Sequence, residues 1–185
     1  MKTVHTLVLA QALGLGAVTL GLAGIGGAAL AQAGWQKVEG AGGTYTASLP
    51  GPAVPDTQTY QTDKGPVVVS SYRAEAANGY WAAGTITYEK KLNRSADQML
   101  DDVRNGVISR SRGTLASEKT VSTGGAPGRE LVYAVKNEDG TYHVRQRFYV
   151  ASPTKIVQAA YVGAPGSENS ADVSRFMDSV KVTKQ

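Results

Sequence analysis

The side chains that could carry chemistry in this 185-residue chain are few, because cysteine is absent and only two histidines occur. His143 is the histidine outside the apolar N-terminal segment, so a zinc site with two histidines or with thiolate ligands is not available. A Ser-His-Asp triad would have to use His143, but the chain after residue 33 contains no Gly-x-Ser-x-Gly nucleophile elbow. We therefore expect His143 to be an exposed strand residue, and we predict no catalytic, metal-binding or cofactor-binding residue.

The carboxylates that stand side by side form two pairs, Asp101-Asp102 and Glu138-Asp139. Sugar hydrolysis needs two carboxylates that face each other across the scissile bond. Adjacent helical residues diverge, and Glu138-Asp139-Gly140 is typical of a turn. The regularly alternating oxygen ligands of a calcium loop do not occur either. These patterns predict that the protein is not an enzyme.

The segment Gly124-Gly125-Ala126-Pro127-Gly128-Arg129-Glu130 is rich in glycine, which lets backbone N–H groups approach an anion. It lacks the Gly-Lys-Ser/Thr ending of a phosphate-binding P-loop, and no predicted helix follows it. Pro127-Gly128 suits a type II turn, because proline fixes φ and glycine accepts a positive φ. We interpret the segment as a turn between two strands.

Two arginines and a tyrosine alternate along one predicted strand and therefore share a face: Arg145, Arg147 and Tyr149. Arg129 lies on the preceding predicted strand, where a hairpin would bring it near them. These four residues form the candidate contact surface for an anionic partner. The alternative is a solvated sheet face on which the arginines pair with Glu118 or Glu130.

The aromatic residues suggest a second kind of binding site. Trp35, Trp81 and the tyrosines could line a pocket for a small apolar ligand, but aromatics spaced through strands usually form core and cross-strand contacts. We interpret them as core, and a carrier of a small apolar ligand stays an alternative function.

The elements that must position these residues follow from hydrophobic periodicity. A helix is predicted for residues 95–112, where Ser95 and Gln98 fit a capping box and Gly113 is the expected stop. A second helix is predicted for residues 170–180, capped by Ser170. Strands, with Gly84 as a possible bulge in the fourth, are predicted for residues 44–49, 57–61, 67–75, 80–89, 115–122, 129–137, 142–151 and 154–162.

Residues 1–33 have the features of a secretory signal peptide. Lys2 lies in the short start, no charged residue occurs from residue 6 to residue 30, and Ala31-Gln32-Ala33 suits cleavage before Gly34. The alternative is a retained membrane anchor, since the apolar stretch is long enough to span a bilayer. We expect a protein of the periplasm or the medium, without a lipoprotein cysteine and with no membrane span after cleavage.

The charge balance after this segment is mild. Without Lys2, the 19 Lys and Arg residues become 18 against 15 Asp and Glu residues, a formal charge of +3. Because no block of Lys and Arg accompanies this charge, we predict no nucleic-acid partner.

Several short segments resemble one family of exported proteins. They are Tyr45-Thr46-Ala47-Ser48-Leu49-Pro50-Gly51-Pro52, residues 124–131, Arg147-Phe148-Tyr149 and Arg175-Phe176-Met177-Asp178-Ser179-Val180. With the order of elements, they are similar to PsbP-like and DcrB-like proteins over most of residues 35–183. The resemblance implies an α/β/α sandwich, and an accessory or binding role without shared catalytic apparatus. It implies no photosystem role here, since no motif for that partner occurs.

The order strands, helix, strands, helix predicts one α+β domain over residues 34–185, with an antiparallel sheet of about six or seven strands and two main helices packed on it. We expect an exported, non-enzymatic accessory or binding protein of the cell envelope. Its partner is an unknown protein or a small anionic or apolar ligand. A weak-motif periplasmic hydrolase is the alternative from another class.

Overall fold

The computed structural model describes residues 34–62, 65–76 and 79–185. The signal peptide predicted for residues 1–33 lies outside the described residues. The described chain is α+β, as predicted, and strands dominate over its two helices, α1 (Ala96–Ser111) and α2 (Ala171–Ser179). The strands are β1 (Trp35–Glu39), β2 (Tyr45–Pro50), β3 (Val54–Thr62), β4 (Gly65–Ala76), β5 (Gly79–Tyr88), β6 (Thr114–Thr123), β7 (Ala126–Asn137), β8 (Gly140–Ser152), β9 (Lys155–Gly163) and β10 (Lys181–Val182).

The main sheet has seven strands in the order β3-β4-β5-β9-β8-β7-β6, and every neighbouring pair is antiparallel. This confirms the predicted antiparallel sheet of six or seven strands. A smaller sheet, β1-β2-β10, was not predicted. Residues 35–43 precede the first predicted strand, yet Trp35–Glu39 pairs with β2 and forms the edge of this second sheet.

One face of the main sheet packs against α1. The apolar side of α1, with Met99, Leu100, Val103 and Val107, is buried against strand residues such as Phe148. The helix begins as predicted: the Ser95 side chain accepts from the Gln98 backbone, and the Gln98 side chain accepts from the Ser95 N–H.

The end of α1 differs in one detail from the prediction that Gly113 stops it. Arg112 adopts the left-handed conformation, with a φ of 51°, and its N–H closes the last turn. Gly113 donates its N–H to the carbonyl of Ile108, and an added Cβ there would lie 2.8 Å from the Ser111 hydroxyl. Gly113 therefore takes part in the hydrogen bonding that ends α1, and a larger residue there would clash with Ser111.

The other face of the main sheet is covered by α2 and the smaller sheet. Trp81 lies at the centre of this second core, with its ring in contact with Trp35, Tyr161 and Phe176. Its side chain is completely buried. This contact confirms that Trp81 is a core residue and not the wall of an open pocket.

The glycine-rich segment forms a hairpin with a different turn from the one predicted. Gly124 and Gly125 are the turn residues, with φ values of 56° and 75°, and β7 begins at Ala126. Positive φ at both positions is what a two-residue hairpin requires. The predicted type II turn at Pro127-Gly128 is wrong, since both residues lie in β7 opposite Ser122 and Val121.

Two glycines owe their positions to close packing. An added Cβ at Gly128 would lie 2.4 Å from the Tyr149 ring, and one at Gly84 would lie 2.4 Å from the carbonyl oxygen of Ser70. Gly84 pairs in continuous register with Ser71, so no bulge is present there.

Candidate functional site

The four residues of the candidate contact surface do not share one face. Arg145, Arg147 and Tyr149 alternate along β8, and Arg147 lies opposite Glu130 of β7. Arg129 lies opposite Phe148, whose side chain belongs to the core beneath α1. Because neighbouring strand residues point to opposite faces, Arg129 is on the α1 side, and the other three are on the α2 side.

Glu130 is the centre of the charged cluster on the α2 side. Its side chain is only 4% exposed and lies between three cations. Arg147 donates from Nε to one carboxylate oxygen, and Lys119 Nζ and Arg145 Nε lie 3.0 and 3.2 Å from the other. A buried carboxylate is stable only when it is paired in this way.

The pKa of Glu130 reflects two opposing effects. Burial raises the pKa of this carboxyl group, because it disfavours the charged form. The hydrogen bonds from Arg147 and Lys119 outweigh burial, and the net pKa is lowered. Glu130 is therefore an ionised structural residue at neutral pH and not a proton donor.

Arg147 joins this cluster to the end of α2. Its Nη1 donates to the carbonyl oxygen of Met177 at 2.8 Å and to Asp178 Oδ1 at 3.0 Å. A guanidinium at this end of a helix satisfies a carbonyl without an intrahelical partner and complements the helix dipole. Arg147 thus fixes the last turn of α2 against β8.

The neighbouring residues on β8 are also enclosed. Arg145 reaches the Ser174 hydroxyl at 3.3 Å, and its side chain is 13% exposed. Tyr149 is buried in the core beneath α2 and the smaller sheet. Both side chains therefore pack mainly against other protein atoms, with little exposure to solvent.

Arg129 makes an equivalent connection on the opposite face. It bonds to Asp101 of α1, and its Nε lies 3.0 Å from Glu118 of β6. Arg104 of α1 lies 3.5 Å from the same Glu118 carboxylate. The ion pairs hold α1 on the outer strands of the sheet.

The arginines pair with Glu118 and Glu130, as in the alternative stated for them. The anionic contact surface stays a prediction that these contacts do not test. Sequence reasoning missed the central position of Glu130, although strand alternation offers a signal: Glu130 is the one acidic residue of β7, opposite an arginine of β8. The contacts from Arg147 to α2 had no such signal, since they join residues about 30 positions apart.

His143 lies near the start of β8 and is paired. Its Nδ1 lies 3.0 Å from Glu168 Oε1, and the Gly166 backbone nitrogen lies 3.3 Å from the same ring atom. Its side chain is 30% exposed, whereas that of Glu168 is buried. Burial raises the Glu168 pKa, but the hydrogen bond from His143 and backbone bonds lower it overall.

The surroundings of His143 contain further polar groups, but they are engaged with one another. The Ser167 hydroxyl donates to the Ala164 carbonyl and accepts from Tyr161 at 2.8 Å. No group of three His, Asp or Glu side chains suited to a metal ion occurs within residues 34–62, 65–76 and 79–185. The arrangement ties the loop after β9 to the sheet.

A small pocket lies at the other end of the molecule, beside the first turn of α1. Its volume is about 180 Å³, below the roughly 300 Å³ at which ligand pockets usually begin. Met99, Pro127 and Lys184 are among its lining residues, and neither His143 nor Glu130 is.

Neither helix in the described part of the chain has the length and apolarity of a membrane span.

Comparison with solved structures relates the chain to PsbP-like proteins at the level of the fold. The solution structure of cyanobacterial PsbP (CyanoP) from Synechocystis matches with a TM-score of 0.55 at 14% identity, covering 87% of this chain and 98% of that one. LpqN of Mycobacterium tuberculosis, described as involved in cell envelope biogenesis, has a TM-score of 0.43 at 12% identity, with 81% and 91% covered.

A Pseudomonas aeruginosa protein of unknown function has a TM-score of 0.40 at 12% identity, with 60% of this chain and 85% of that chain covered. No protein-family model and no curated protein sequence matches the chain. The PsbP-like resemblance is therefore a likeness of fold.

Proposed function

We propose that this chain is an exported, non-enzymatic accessory or binding protein of the cell envelope, which acts through its surface. One observation carries the proposal. The charged residues best suited to chemistry, Glu130, Arg147 and the pair of His143 with Glu168, make ion pairs that hold helices and loops on the sheet. None of these four residues lines the pocket beside the first turn of α1.

Two further features support the role. The N-terminal segment has the features of a signal peptide, which favours the envelope or the medium as the location. The PsbP-like fold is compatible with an accessory role. The partner is a protein or a small ligand of the same compartment.

The test uses the full chain with a C-terminal tag, expressed with its own N-terminal segment in a bacterial host that exports it. Fractionation shows whether the protein reaches the periplasm, and crosslinking followed by affinity purification identifies what it binds there. Export with a reproducible, saturable partner supports the proposal. Retention in the cytoplasm contradicts it.

Catalysis is tested separately on the purified protein. A panel of ester, phosphate, peptide and glycoside substrates is assayed with the unmodified chain and with His143→Ala. A hydrolytic activity that His143→Ala abolishes, while the fold stays intact, would establish the hydrolase alternative instead.

A further inference from the structure

The two edges of the main sheet differ in how they are protected. The β6 edge is irregular, with a register shift between Leu115 and Ser117, and it carries Glu118 and Lys119. Bulges and charges are the usual means by which edge strands avoid pairing with other chains. The β3 edge has no bulge in its nine residues. Its one charged residue is Asp56, which forms an ion pair with Arg73 at 3.3 Å.

The backbone of β3 presents hydrogen-bonding groups outward at alternate residues. Glu89 donates its N–H to the Pro66 carbonyl, so Pro66 of β4 faces β5. Gln61 lies directly opposite Pro66 on β3. Since the backbone groups of Pro66 point toward β5, Pro66 and Gln61 form a non-hydrogen-bonded pair, and the N–H and C=O groups of Gln61 point away from β4 to the open edge. The register is continuous, so the backbone groups of Pro55, Thr57 and Thr59 point to the same edge.

The side chains of this edge are exposed and uncharged. Pro55, Thr57, Thr59 and Gln61 are all exposed, and Val54, at the start of the strand, is 57% exposed. Pro55 has no N–H to lose at an outward position, which agrees with its place in an edge strand. The strand therefore offers free N–H groups at Thr57, Thr59 and Gln61, with no described strand on that side.

We propose that two copies of this chain pair through β3, antiparallel and about a two-fold axis at Gln58, to form one continuous sheet. Gln58 is the central residue of Val54–Thr62, so this register pairs the strand along its whole length. Thr57 of each copy then lies opposite Thr59 of the other, and Pro55 lies opposite Gln61. The pattern gives about six inter-chain hydrogen bonds.

A second copy fits this edge because β3 is complementary to itself. In this register Asp56 lies opposite Tyr60, so no two like charges face each other. Threonine pairs with threonine, a favourable cross-strand combination, and Val54 is covered by Thr62 of the second copy. The interface is isologous, with the same residues contributed by both copies, and it closes without further growth.

Sedimentation velocity of the protein recovered after export tests the pairing. We expect a reversible dimer with a dissociation constant on the order of 10–100 μM, because edge pairing buries less area than a standard interface. A monomer up to millimolar concentration overturns the proposal. So does a dimer that is insensitive to every β3 substitution described below.

Charge variants identify the surface. The double change Thr57→Lys with Thr59→Lys places like charges opposite each other and should yield monomers, as should Thr57→Glu with Thr59→Glu. Mixing the two variants pairs lysine with glutamate and should restore a dimer that contains one of each. Failure of the mixture to associate contradicts the register proposed here.

A backbone variant gives an independent readout. Thr59→Pro removes an outward N–H without breaking the pairing of β3 with β4, and it should weaken dimerisation by about tenfold. Thr59→Ala keeps the N–H and is the matched control, with at most a small change. Absence of self-association of the protein would overturn the proposal even if a synthetic peptide of residues 54–62 bound to it.

Discussion

Arg147 of β8 donates to Glu130, its cross-strand neighbour on β7, and to the carbonyl oxygen of Met177 at the end of α2. One side chain thus connects the β7–β8 hairpin with a helix whose contact residue lies 30 positions further along the chain. Both partners are buried, so each charge depends on the other for compensation.

Replacing Glu130 with Gln should destabilise the fold. The change removes the carboxylate that faces the partly buried Arg145 and leaves the buried Arg147 with Asp178 as its carboxylate partner. Removal of one partner of a buried pair costs about 3–5 kcal/mol. Urea unfolding, followed by tryptophan fluorescence, measures the loss. Glu138→Gln, in the exposed turn after β7, is the control and should change stability by less than about 0.5 kcal/mol.

Stability should fall in acid because of Glu130 and Glu168, whose pKa values are both lowered by folding. The unfolded chain binds more protons than the folded one below the ordinary glutamate pKa, so stability present above about pH 4.5 is lost as pH falls through the folded pKa values. Urea midpoints measured from about pH 6 to pH 3 should show this decline. In Glu130→Gln the decline should be shallower, and an unchanged slope would exclude Glu130 as its source.

The two glycines of the β6–β7 hairpin should respond differently to substitution. Gly124→Ala places a Cβ 2.0 Å from the Val182 carbonyl oxygen, whereas a Cβ at Gly125 meets no atom within 4 Å. Both changes cost about 1 kcal/mol for the positive φ. Gly124→Ala should cost about 1–3 kcal/mol more, because the end of the chain must move. Equal losses of thermal stability would contradict this packing.

His143→Ala should leave the protein folded and partner capture unchanged. The change removes a partner of the buried Glu168 carboxylate, which costs about 1–3 kcal/mol. Hydrogen exchange should increase mainly in the loop of residues 163–170, which His143 joins to β8. His143→Gln, which keeps a polar group, is the matched variant and should lose less protection there.

Much of the architecture is local in origin, and the sequence predicted it. Ser95 and Gln98 cap α1 through contacts three residues apart, and two-residue alternation placed Arg145 and Arg147 on one face. The prediction was wrong for the hairpin, where Pro127-Gly128 resembled a turn but lies in β7. Glycine at position 128 is required by the Tyr149 ring from another strand, which a local pattern does not contain.

The candidate site was predictable only in part for the same reason. Strand alternation places Arg129 and Leu131 on one face of β7 and Glu130 on the other face. Arg147 of β8 lies opposite Glu130, so Arg129 and Arg147 are on different faces of the sheet. The hydrogen bonds from Arg129 to Asp101, and from Arg147 to Met177 and Asp178, depend on where α1 and α2 pack on the sheet. Docking is set by burial of apolar faces across the whole sheet, and no spacing in the sequence encodes it.

The sequence by itself determined the α+β class, the helix capped at Ser95, most strands, and the scarcity of catalytic groups, since these follow from residue types and short-range periodicity. Only the tertiary structure decided that Trp35–Glu39 joins a second sheet, that Arg147 is enclosed beneath α2 and that β3 is the open edge. These features arise from contacts between distant segments, whose free energy depends on the packed whole.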